Sequence, residues 1–378
     1  MTSAQSYRSP SPAWSTALPP ARVDLVPLPA ARGGVLVCST ESIAALSIHG
    51  NVVWREQAHR AAAVLPVLCR EDAVALVADE TVVLRSIADG TILRTFTVAG
   101  CVRMSGAPWG DLVCLTIGDG GQVHLRCFEP TGRLRWTTPL HGTQALVYGL
   151  IAMAEVIVVE QHGALWAFDR DGRTPWVADI NGVSDVVSID RTRVGTRINA
   201  EPCPVTSGRM LFELAGPNPP GLYVLDGISA TLTPLAARSP IRRPYAVIPG
   251  GDSGHRIVGY GGRIEITPLE HEFVIEAIEW DTTTAWQCRM SAEPISLAAA
   301  PDGSVIVAAS PTPEYWSKYH QFQDLRQQAF IRCVEPDGAV RWQWHPPGPL
   351  THRPIPAPDG TVYVCSDNLL WALPLTGR

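Results

Sequence analysis

The chain contains 378 residues with a formal net charge of −6, and hydrophobic residues make up 46% of it. This apolar content is too high for a disordered chain, and the acidic balance argues against nucleic-acid binding through bulk positive charge. The nine cysteines are widely spaced and form no CxxC pair, so we expect free thiols in a reduced, cytoplasmic protein. Length alone would allow two or three domains.

The N-terminal residues 1–12 are polar and lack the apolar centre of a secretory signal. We therefore predict a flexible tail at 1–12, followed by a single domain at 13–378. The longest uncharged run, 136–154, contains Pro139 and His141, which do not suit a membrane span. The sequence predicts no membrane association.

One pattern recurs along the chain: an apolar alternation, a turn with glycine or aspartate, then a short strand that carries tryptophan. Clear copies are LRCFEPTGRLRW (125–136), LWAFDRDGRTPW (165–176) and IRCVEPDGAVRW (331–342). The last copy, LWALPLTGR (370–378), stops at its turn. Its tryptophan strand is found instead near the N-terminus, as PAWSTAL with Trp14. The copies recur about every 40 residues in the first half and about every 55 in the second, and such repetition predicts a repeat architecture.

The equivalent positions are Trp14, Trp54, Arg94, Trp136, Trp176, Leu232, Trp286 and Trp342. Two further strands precede each copy, so each repeat supplies four strands, A to D, which is typical of a propeller blade. We predict an all-β, eight-bladed β-propeller of four-stranded antiparallel blades, closed by pairing the N-terminal strand with C-terminal strands. The alternative is seven blades, if the weakest copy, at 222–232, is not a full blade.

The repeat, with its turn Asp or Gly and its D-strand tryptophan, resembles the PQQ-like β-propeller repeat over almost the whole chain. That family includes quinoprotein dehydrogenases and outer-membrane assembly scaffold proteins, and the resemblance implies the fold. Quinoprotein dehydrogenases carry adjacent cysteines over the cofactor, and no two cysteines are adjacent here. We therefore predict no cofactor and place a PQQ-dependent dehydrogenase last among the functions.

Five connections are longer than a blade needs. In a four-stranded blade the D–A and B–C loops leave from the same face, so all five are predicted to crowd one face over blades 5 to 7. Irregular connections on a regular scaffold are where binding residues concentrate. The connections are 181–199, 216–220, 238–243, 261–270 and 311–328.

The longest insert, 310–328, combines aromatic and charged side chains, which suits a lid or an interface anchor. The alternative is that its aromatic residues pack on the propeller rim and only hold the loop. The predicted contact residues are Tyr315, Trp316, Lys318, Tyr319 and Phe322.

A basic sector spans 181–264, with nine arginines against six acidic residues. Within it, Arg242 and Arg243 are predicted to receive an anionic ligand or an acidic partner, whereas the alternative is a solvated loop.

Four charged residues each precede a proline where a predicted A strand begins. They are Glu201, Arg243, Glu293 and Arg353. We predict that they form an arc of alternating charge at the mouth of the central channel. Such an arc would orient a ligand that carries both charges, or it would be a structural ring of salt bridges between blades.

The function predicted from these features is a non-catalytic binding or scaffold propeller that recognises a ligand or protein partner on the loop face over blades 5 to 7. The ligand would be a protein or a small anionic or zwitterionic molecule, and we expect a monomer with no metal, nucleic acid or membrane partner. The alternative is a small-molecule enzyme of hydrolase, lyase or cyclase type with its site at the channel mouth. Its catalytic candidates are Glu201, Glu293, Glu314, His320 and His352.

Overall fold

The structure is a computed structural model. It describes residues 7–18, 23–29, 31–39, 41–57, 66–70, 72–78, 80–143, 147–153, 155–161, 164–179, 203–206, 208–214, 221–236, 242–250, 254–267, 270–281, 283–310 and 329–377. No helix within these ranges is long and apolar enough to cross a membrane.

The described residues form 32 strands and one short 3-10 helix, Asp119–Gly121. The strands of the first half are β1 (Trp14–Ala17), β2 (Val23–Pro27), β3 (Val35–Ser39), β4 (Ser42–Leu46), β5 (Val52–Gln57), β6 (Val67–Arg70), β7 (Ala73–Ala78), β8 (Thr81–Ser86), β9 (Ile92–Thr97), β10 (Cys101–Gly106), β11 (Leu112–Ile117), β12 (Gln122–Phe128), β13 (Leu134–Thr143), β14 (Val147–Met153), β15 (Val156–Gln161), β16 (Ala164–Phe168) and β17 (Val177–Asp179). Those of the second half are β18 (Cys203–Thr206), β19 (Arg209–Leu214), β20 (Gly221–Asp226), β21 (Thr231–Ala236), β22 (Arg242–Pro249), β23 (His255–Thr267), β24 (Glu270–Ile278), β25 (Thr284–Met290), β26 (Glu293–Ala299), β27 (Val305–Ser310), β28 (Phe330–Val334), β29 (Val340–Trp344), β30 (Ile355–Pro356), β31 (Thr361–Ser366) and β32 (Leu369–Pro374).

These strands form eight four-stranded sheets, in seven of which four consecutive strands pair in chain order, from β2–β5 (sheet one) to β26–β29 (sheet seven). Sheet eight has the order β1-β32-β31-β30, with Trp14 opposite Ala372. The predicted pairing of the N-terminal strand with the C-terminal strands is therefore confirmed. The alternative of seven blades is wrong, because the weak copy at 222–232 lies in the complete sheet β18–β21.

The chain divides into two compact units. One comprises 1–37, 46–52 and 239–378 and contains sheets six to eight, and the other comprises 38–45 and 53–238 and contains sheets two to five. Sheet one supplies residues to both units. The single domain predicted for 13–378 stays a prediction.

Within each unit, the faces of each sheet pack against the neighbouring sheets. In the first unit, Val258 and Ile275 of sheet six belong to one apolar cluster with Val307 of sheet seven. In the second unit, Leu125 of sheet three packs in one cluster with Ile157 of sheet four. Removing these side chains from water is the main favourable term for such stacked sheets, which explains the runs of aliphatic residues in the inner strands.

The repeated tryptophans join neighbouring sheets, as the sequence pattern predicts. Each indole N–H donates to a backbone carbonyl in the C–D turn of the adjacent sheet, at 2.6 to 3.1 Å. The donor and acceptor pairs are Trp14 to Ile48, Trp54 to Ile87, Trp136 to Arg170, Trp176 to Gly227, Trp286 to Pro336 and Trp342 to Leu375. Trp54 and Trp342 are buried and the other four rings are partly exposed, and each ring has its one polar group satisfied.

A glycine in the facing turn makes room for most of these rings. A Cβ added to Gly172 would lie 2.7 Å from Trp136, and one added to Gly377 would lie 2.6 Å from Trp342. In sheet two the equivalent contact is made by Phe96, which lies 2.9 Å from the position of a Cβ on Gly132. The sequence spacing assigned this position to Arg94, which is exposed two residues earlier on the same face of β9.

The N-terminal segment contacts sheet seven. The carbonyl of Arg8 accepts a hydrogen bond from the Gln343 N–H at 2.9 Å, and the Tyr7 ring lies 4.8 Å from the guanidinium of Arg332. Arg332 is buried and donates to the Gln343 side chain and to the carbonyl of Arg289. Residues 7–12 of the predicted tail are described and 1–6 lie outside the described residues, so the flexibility of the tail stays a prediction.

Aspartates and glycines form the turns in the way the sequence predicts. The Asp169 carboxylate accepts the N–H groups of Asp171 and Arg173, each at 2.9 Å, in the C–D turn of sheet four. The GDGG segment at 118–121 is the B–C turn of sheet three. Asp226 forms the C–D turn of sheet five in the same way as Asp169, because its Oδ1 accepts the N–H groups of Ile228 and Ser229.

Asp226 provides a test of these turns by pH. The Ser229 N–H and the side chain of Arg209 stabilise the charged form, which lowers the pKa of Asp226 to about 2. A carboxylate whose pKa is lower in the folded state stabilises the fold above its unfolded pKa, and this stabilisation is lost as the pH falls through the folded pKa. We expect Asp226→Asn to be less stable than the parent by a constant amount above about pH 4, and the difference to shrink toward pH 2. Urea unfolding of both proteins between pH 7 and pH 2 measures this, and NMR titration of the carboxyl is the control. A difference as large at the acidic end as at neutral pH would contradict it.

Candidate functional site

The B–C connection of sheet six is a long paired hairpin. β23 and β24 remain paired from Gly262 opposite Val274 to Thr267 opposite Glu270, with a register shift between Glu265 and Thr267. Their neighbours stop earlier, because β22 pairs only as far as Tyr260 and β25 only as far as Phe273. The hairpin therefore projects beyond the rest of its sheet. The long B–C connection predicted at 261–270 is present, but its described residues, 261–267 and 270, continue the paired strands instead of forming an irregular loop.

Two glycines allow the hairpin to leave the sheet. The register shifts between Tyr260 and Gly262, which marks a bulge, and Gly262 has a φ of 137°. A Cβ on Gly261 would lie 2.9 Å from the carboxylate of Glu276, a buried residue that accepts a hydrogen bond from the Thr284 hydroxyl. Bulges bend the strand that carries them, so the sequence Gly261–Gly262 bends the hairpin at its base.

Side chains at the base of the hairpin tie it to its sheet. Arg289 Nη1 lies 3.1 Å from Glu272 Oε2, which links β25 to β24. The rings of Tyr260 and Phe273 face each other across β23 and β24, with centroids 6.4 Å apart. The projecting part is therefore anchored on a packed base.

Three of the four residues of the predicted charged arc lie at the starts of first strands in sheets six to eight. Arg243 is the second residue of β22, Glu293 is the first residue of β26, and Arg353 lies two residues before β30. β22 lies beside β26, and β26 beside β30. We call this side of the three sheets, where the first strands begin and the B–C connections lie, the B–C edge.

The described charged side chains of this edge interact with other groups of the protein. Glu293 is half-buried, Arg353 is exposed, and both interact with other groups of the protein. His352 Nδ1 lies 3.3 Å from the Thr351 hydroxyl. The structure describes the backbone of Arg242 and Arg243 but not their side chains, and it places both in β22 instead of in a loop, with Arg242 opposite Tyr260. The ligand-binding or catalytic roles of these residues stay predictions.

The remaining candidates lie outside the described residues, and so do all five predicted long connections in whole or in part. The candidates are Glu201, Glu314, Tyr315, Trp316, Lys318, Tyr319, His320 and Phe322. Their predicted roles are untested. The backbone does fix where the longest insert begins, because Ser310 is paired with Glu293 at the B–C edge of sheet seven.

In sheets three and seven, the end that carries the C–D turn contains arginine-centred ion pairs that sequence reasoning missed. Arg135 lies 2.7 Å from Asp111 and 3.3 Å from Glu129, and the buried Asp111 also accepts the Trp109 indole N–H. The shared motif places Arg341 in sheet seven at the same position, where it contacts Asp302 and Glu335. The copies C-F-E-P-T-G-R-L-R and C-V-E-P-D-G-A-V-R contain the signal.

These pairs connect turns within a sheet. Burial raises the pKa of Asp302, but hydrogen bonds from Ser304 and Arg341 lower it by more. The pKa of Asp302 therefore lies below its ordinary value. Arg341 also donates to the carbonyl of Leu375, the acceptor of the Trp342 indole. This end of the sheet therefore contains charged groups that satisfy each other. Among the described residues, no group of three or more His, Cys, Asp or Glu side chains is arranged to hold a metal ion.

Comparison with known proteins supports the fold. No family model matches the chain, and no curated protein matches it. Among solved structures, BamB from Moraxella catarrhalis is 12% identical over 96% of each chain, with a TM-score of 0.55. The chain has the β-propeller fold.

Two further structures agree. The WD40 domain of SCAP from fission yeast is 10% identical over 96% of this chain and 98% of its own, with a TM-score of 0.56. A eukaryotic initiation factor is 10% identical over 86% of this chain and 88% of its own, with a TM-score of 0.51. At these identities the likeness shows the fold alone. The predicted eight-bladed propeller and the fold-level resemblance to PQQ-like propellers are both confirmed.

Proposed function

We propose that the protein is a non-catalytic binding or scaffold propeller that recognises a protein partner at the B–C edge of sheets six to eight. The projecting hairpin of sheet six is the observation that carries this proposal. A regular blade needs only a tight B–C turn, and the hairpin of sheet six is longer than such a turn by several residue pairs.

 In sheet eight, Ser366 is paired with Leu369 across a two-residue turn, whereas in sheet six the pairing continues to Thr267 and Glu270.

The backbone of the hairpin suits a partner that is a polypeptide. Within the described residues, β22 pairs with β23 no further than Tyr260, and β25 pairs with β24 no further than Phe273. Both outer edges of the projecting hairpin therefore lack a neighbouring strand among these residues. Unpaired N–H and C=O groups along a strand edge are a template for an added strand, and many peptide-binding proteins use them in this way.

The neighbouring insert supports the same edge. The insert at 311–328 follows Ser310, which is paired with Glu293 at the start of β26, and β26 lies beside β22. It contributes Tyr315, Trp316, Tyr319 and Phe322 from the sequence. Aromatic side chains are enriched among the residues that dominate the binding energy of protein interfaces.

Deleting 312–327 tests this proposal. The full chain and a variant with a short Gly-Ser linker in place of 312–327 would be used as baits in lysates of the source cells, with captured proteins quantified by mass spectrometry. Because aromatic interface residues carry a large share of the binding energy, we expect the variant to recover its main partner at least about tenfold less well. Circular dichroism and the melting temperature show whether the variant remains folded.

Asp337→Ala is the matched control. Asp337 lies in the exposed C–D turn of sheet seven, at the other end of the sheet from the insert. This control is expected to capture the partner as well as the full chain does. Equal recovery by the full chain and a folded deletion variant would contradict the proposed site. The absence of any protein captured specifically by the full chain would contradict a protein partner.

A further inference from the structure

Two cysteines meet on adjacent strands of sheet three. Cys101 is the first residue of β10 and is opposite Thr116 of β11, and Cys114 lies two residues from Thr116, so its side chain points to the same face. The Cys101 thiol donates to the Arg103 carbonyl at 3.4 Å. Both pack in one apolar cluster with Cys69 and Met104. The pair is separated by 12 residues in the sequence, so no local motif marks it.

The two thiols differ in exposure and acidity. Cys101 is partly exposed, whereas Cys114 is buried. Interaction with the Cys114 thiol lowers the pKa of the Cys101 thiol, against the effect of its burial. Interaction with Cys101, together with burial, raises the pKa of the Cys114 thiol. Since the thiolate is the reactive form, Cys101 is the nucleophile of the pair and Cys114 is held next to it as a thiol.

We propose that Cys101 and Cys114 form a redox-modification site, at which a hydroperoxide oxidises the pair to a disulfide. This inference is independent of the proposed binding function.

The reaction has two steps. The sulfur of Cys101 attacks the O–O bond of the hydroperoxide, an S–O bond forms, the O–O bond breaks, and the departing oxygen leaves as an alcohol or water after taking a proton. The sulfur of Cys114 then attacks the sulfenic acid of Cys101, the S–S bond forms, the S–O bond breaks, and water leaves with the proton of Cys114. The two thiols lose two electrons in total and the hydroperoxide gains them.

The bulge after Cys101 is where the backbone would adjust to the bond, since the Gly100 carbonyl before it is held by the Ile117 N–H. Cys101 and Cys114 are diagonal neighbours, and disulfides need a closer approach of the two Cα atoms than most diagonal pairs have. β10 is an edge strand of its sheet, and its bulge lies between Cys101 and Arg103. Because β10 pairs only with β11 in this sheet, an adjustment at the bulge breaks no second ladder.

Other cysteines provide matched controls. Cys69 lies in the same cluster, and its thiol donates to the Val67 carbonyl at 3.6 Å. Burial raises the pKa of Cys365 to about 12. Burial, with the Asp111 carboxylate nearby, raises the pKa of Cys127 to about 12 as well. Thiols with such pKa values hold too little thiolate at neutral pH to react quickly.

The experiment treats the folded full chain with increasing hydrogen peroxide, blocks free thiols with iodoacetamide, and maps the tryptic peptides by mass spectrometry. Arg103 separates the two cysteines, so Cys101 lies in peptide 95–103 and Cys114 in peptide 104–126. We expect a disulfide between these two peptides, formed at least about tenfold faster than any oxidation of Cys365 and reversed by dithiothreitol.

Two variants fix the order of the steps. Cys114→Ser is expected to leave Cys101 as a sulfenic acid that dimedone traps, and Cys101→Ser is expected to leave Cys114 unoxidised. Cys69→Ala is expected to leave the disulfide unchanged. The proposal is overturned if the folded parent forms no link between 95–103 and 104–126, or if Cys365 is oxidised as fast as Cys101. Because both readouts use the parent protein, they stand even if a variant does not fold.

Discussion

Replacing Trp342 with alanine is expected to lower the free energy of unfolding by about 3–5 kcal/mol. The side chain is fully buried in the cluster between sheets seven and eight, and its indole N–H donates to the Leu375 carbonyl at 2.8 Å. Alanine would leave a cavity between the sheets and a carbonyl without this donor. Chemical denaturation followed by circular dichroism measures the change without relying on tryptophan fluorescence.

Trp136 is the matched control for Trp342. It occupies the same position of the repeat and donates to Arg170 at 2.9 Å, but its side chain is partly exposed. Trp136→Ala is therefore expected to cost roughly half as much as Trp342→Ala, since the loss scales with the apolar area removed from water. Equal losses for the two variants would show that burial does not set the contribution of this position.

Gly100→Ala is expected to destabilise the protein by about 2–5 kcal/mol, because it combines backbone strain with overpacking. Gly100 has a φ of 69°, and an added Cβ would lie 2.0 Å from the carbonyl oxygen of Ile117. The Ile117 N–H donates to the Gly100 carbonyl at 2.8 Å, so this turn cannot move away without losing that bond. The same denaturation experiment measures the loss.

Gly110→Ala separates the two causes. Gly110 has a φ of 89°, and a Cβ there would meet no atom within 4 Å. We expect this variant to lose only about 1–2 kcal/mol, the cost of a left-handed conformation for a residue with a side chain. If Gly100→Ala were no worse than Gly110→Ala, the close approach of Gly100 to Ile117 would have no energetic role.

The repeat made the architecture predictable because it combines local and long-range signals. Aspartates such as Asp169 mark the C–D turns by their own hydrogen bonds, and tryptophans such as Trp342 mark the contact with the next sheet. The break of the last copy at its turn predicted that the Trp14 strand pairs with β32. Spacing alone was less exact in sheet two, where it selected Arg94 and the contact is made by Phe96.

The candidate site was less predictable, because its features depend on pairing across strands. Gly261 and Gly262 favour a loop when read locally, but in the structure they form a bulge and the hairpin continues beyond them. Cys101 and Cys114 come together only through the register of β10 and β11. The starts of the first strands were easier to place, since the prolines after Arg243, Glu293 and Arg353 mark them in the sequence.

The most direct test of the binding site uses the single lysine of the chain, Lys318, which lies in the predicted contact insert. An amine-reactive crosslinker can attach a partner to this protein only through Lys318 or the N-terminal amine. The comparison is Lys318→Arg, Asp337→Lys, which moves the lysine to the exposed C–D turn of sheet seven, at the other end of the sheet that carries the insert. We predict that captured partners crosslink through Lys318 in the parent and that the moved lysine gives no adduct. Partners that crosslink through position 337 and not through Lys318 would contradict a binding site at the B–C edge.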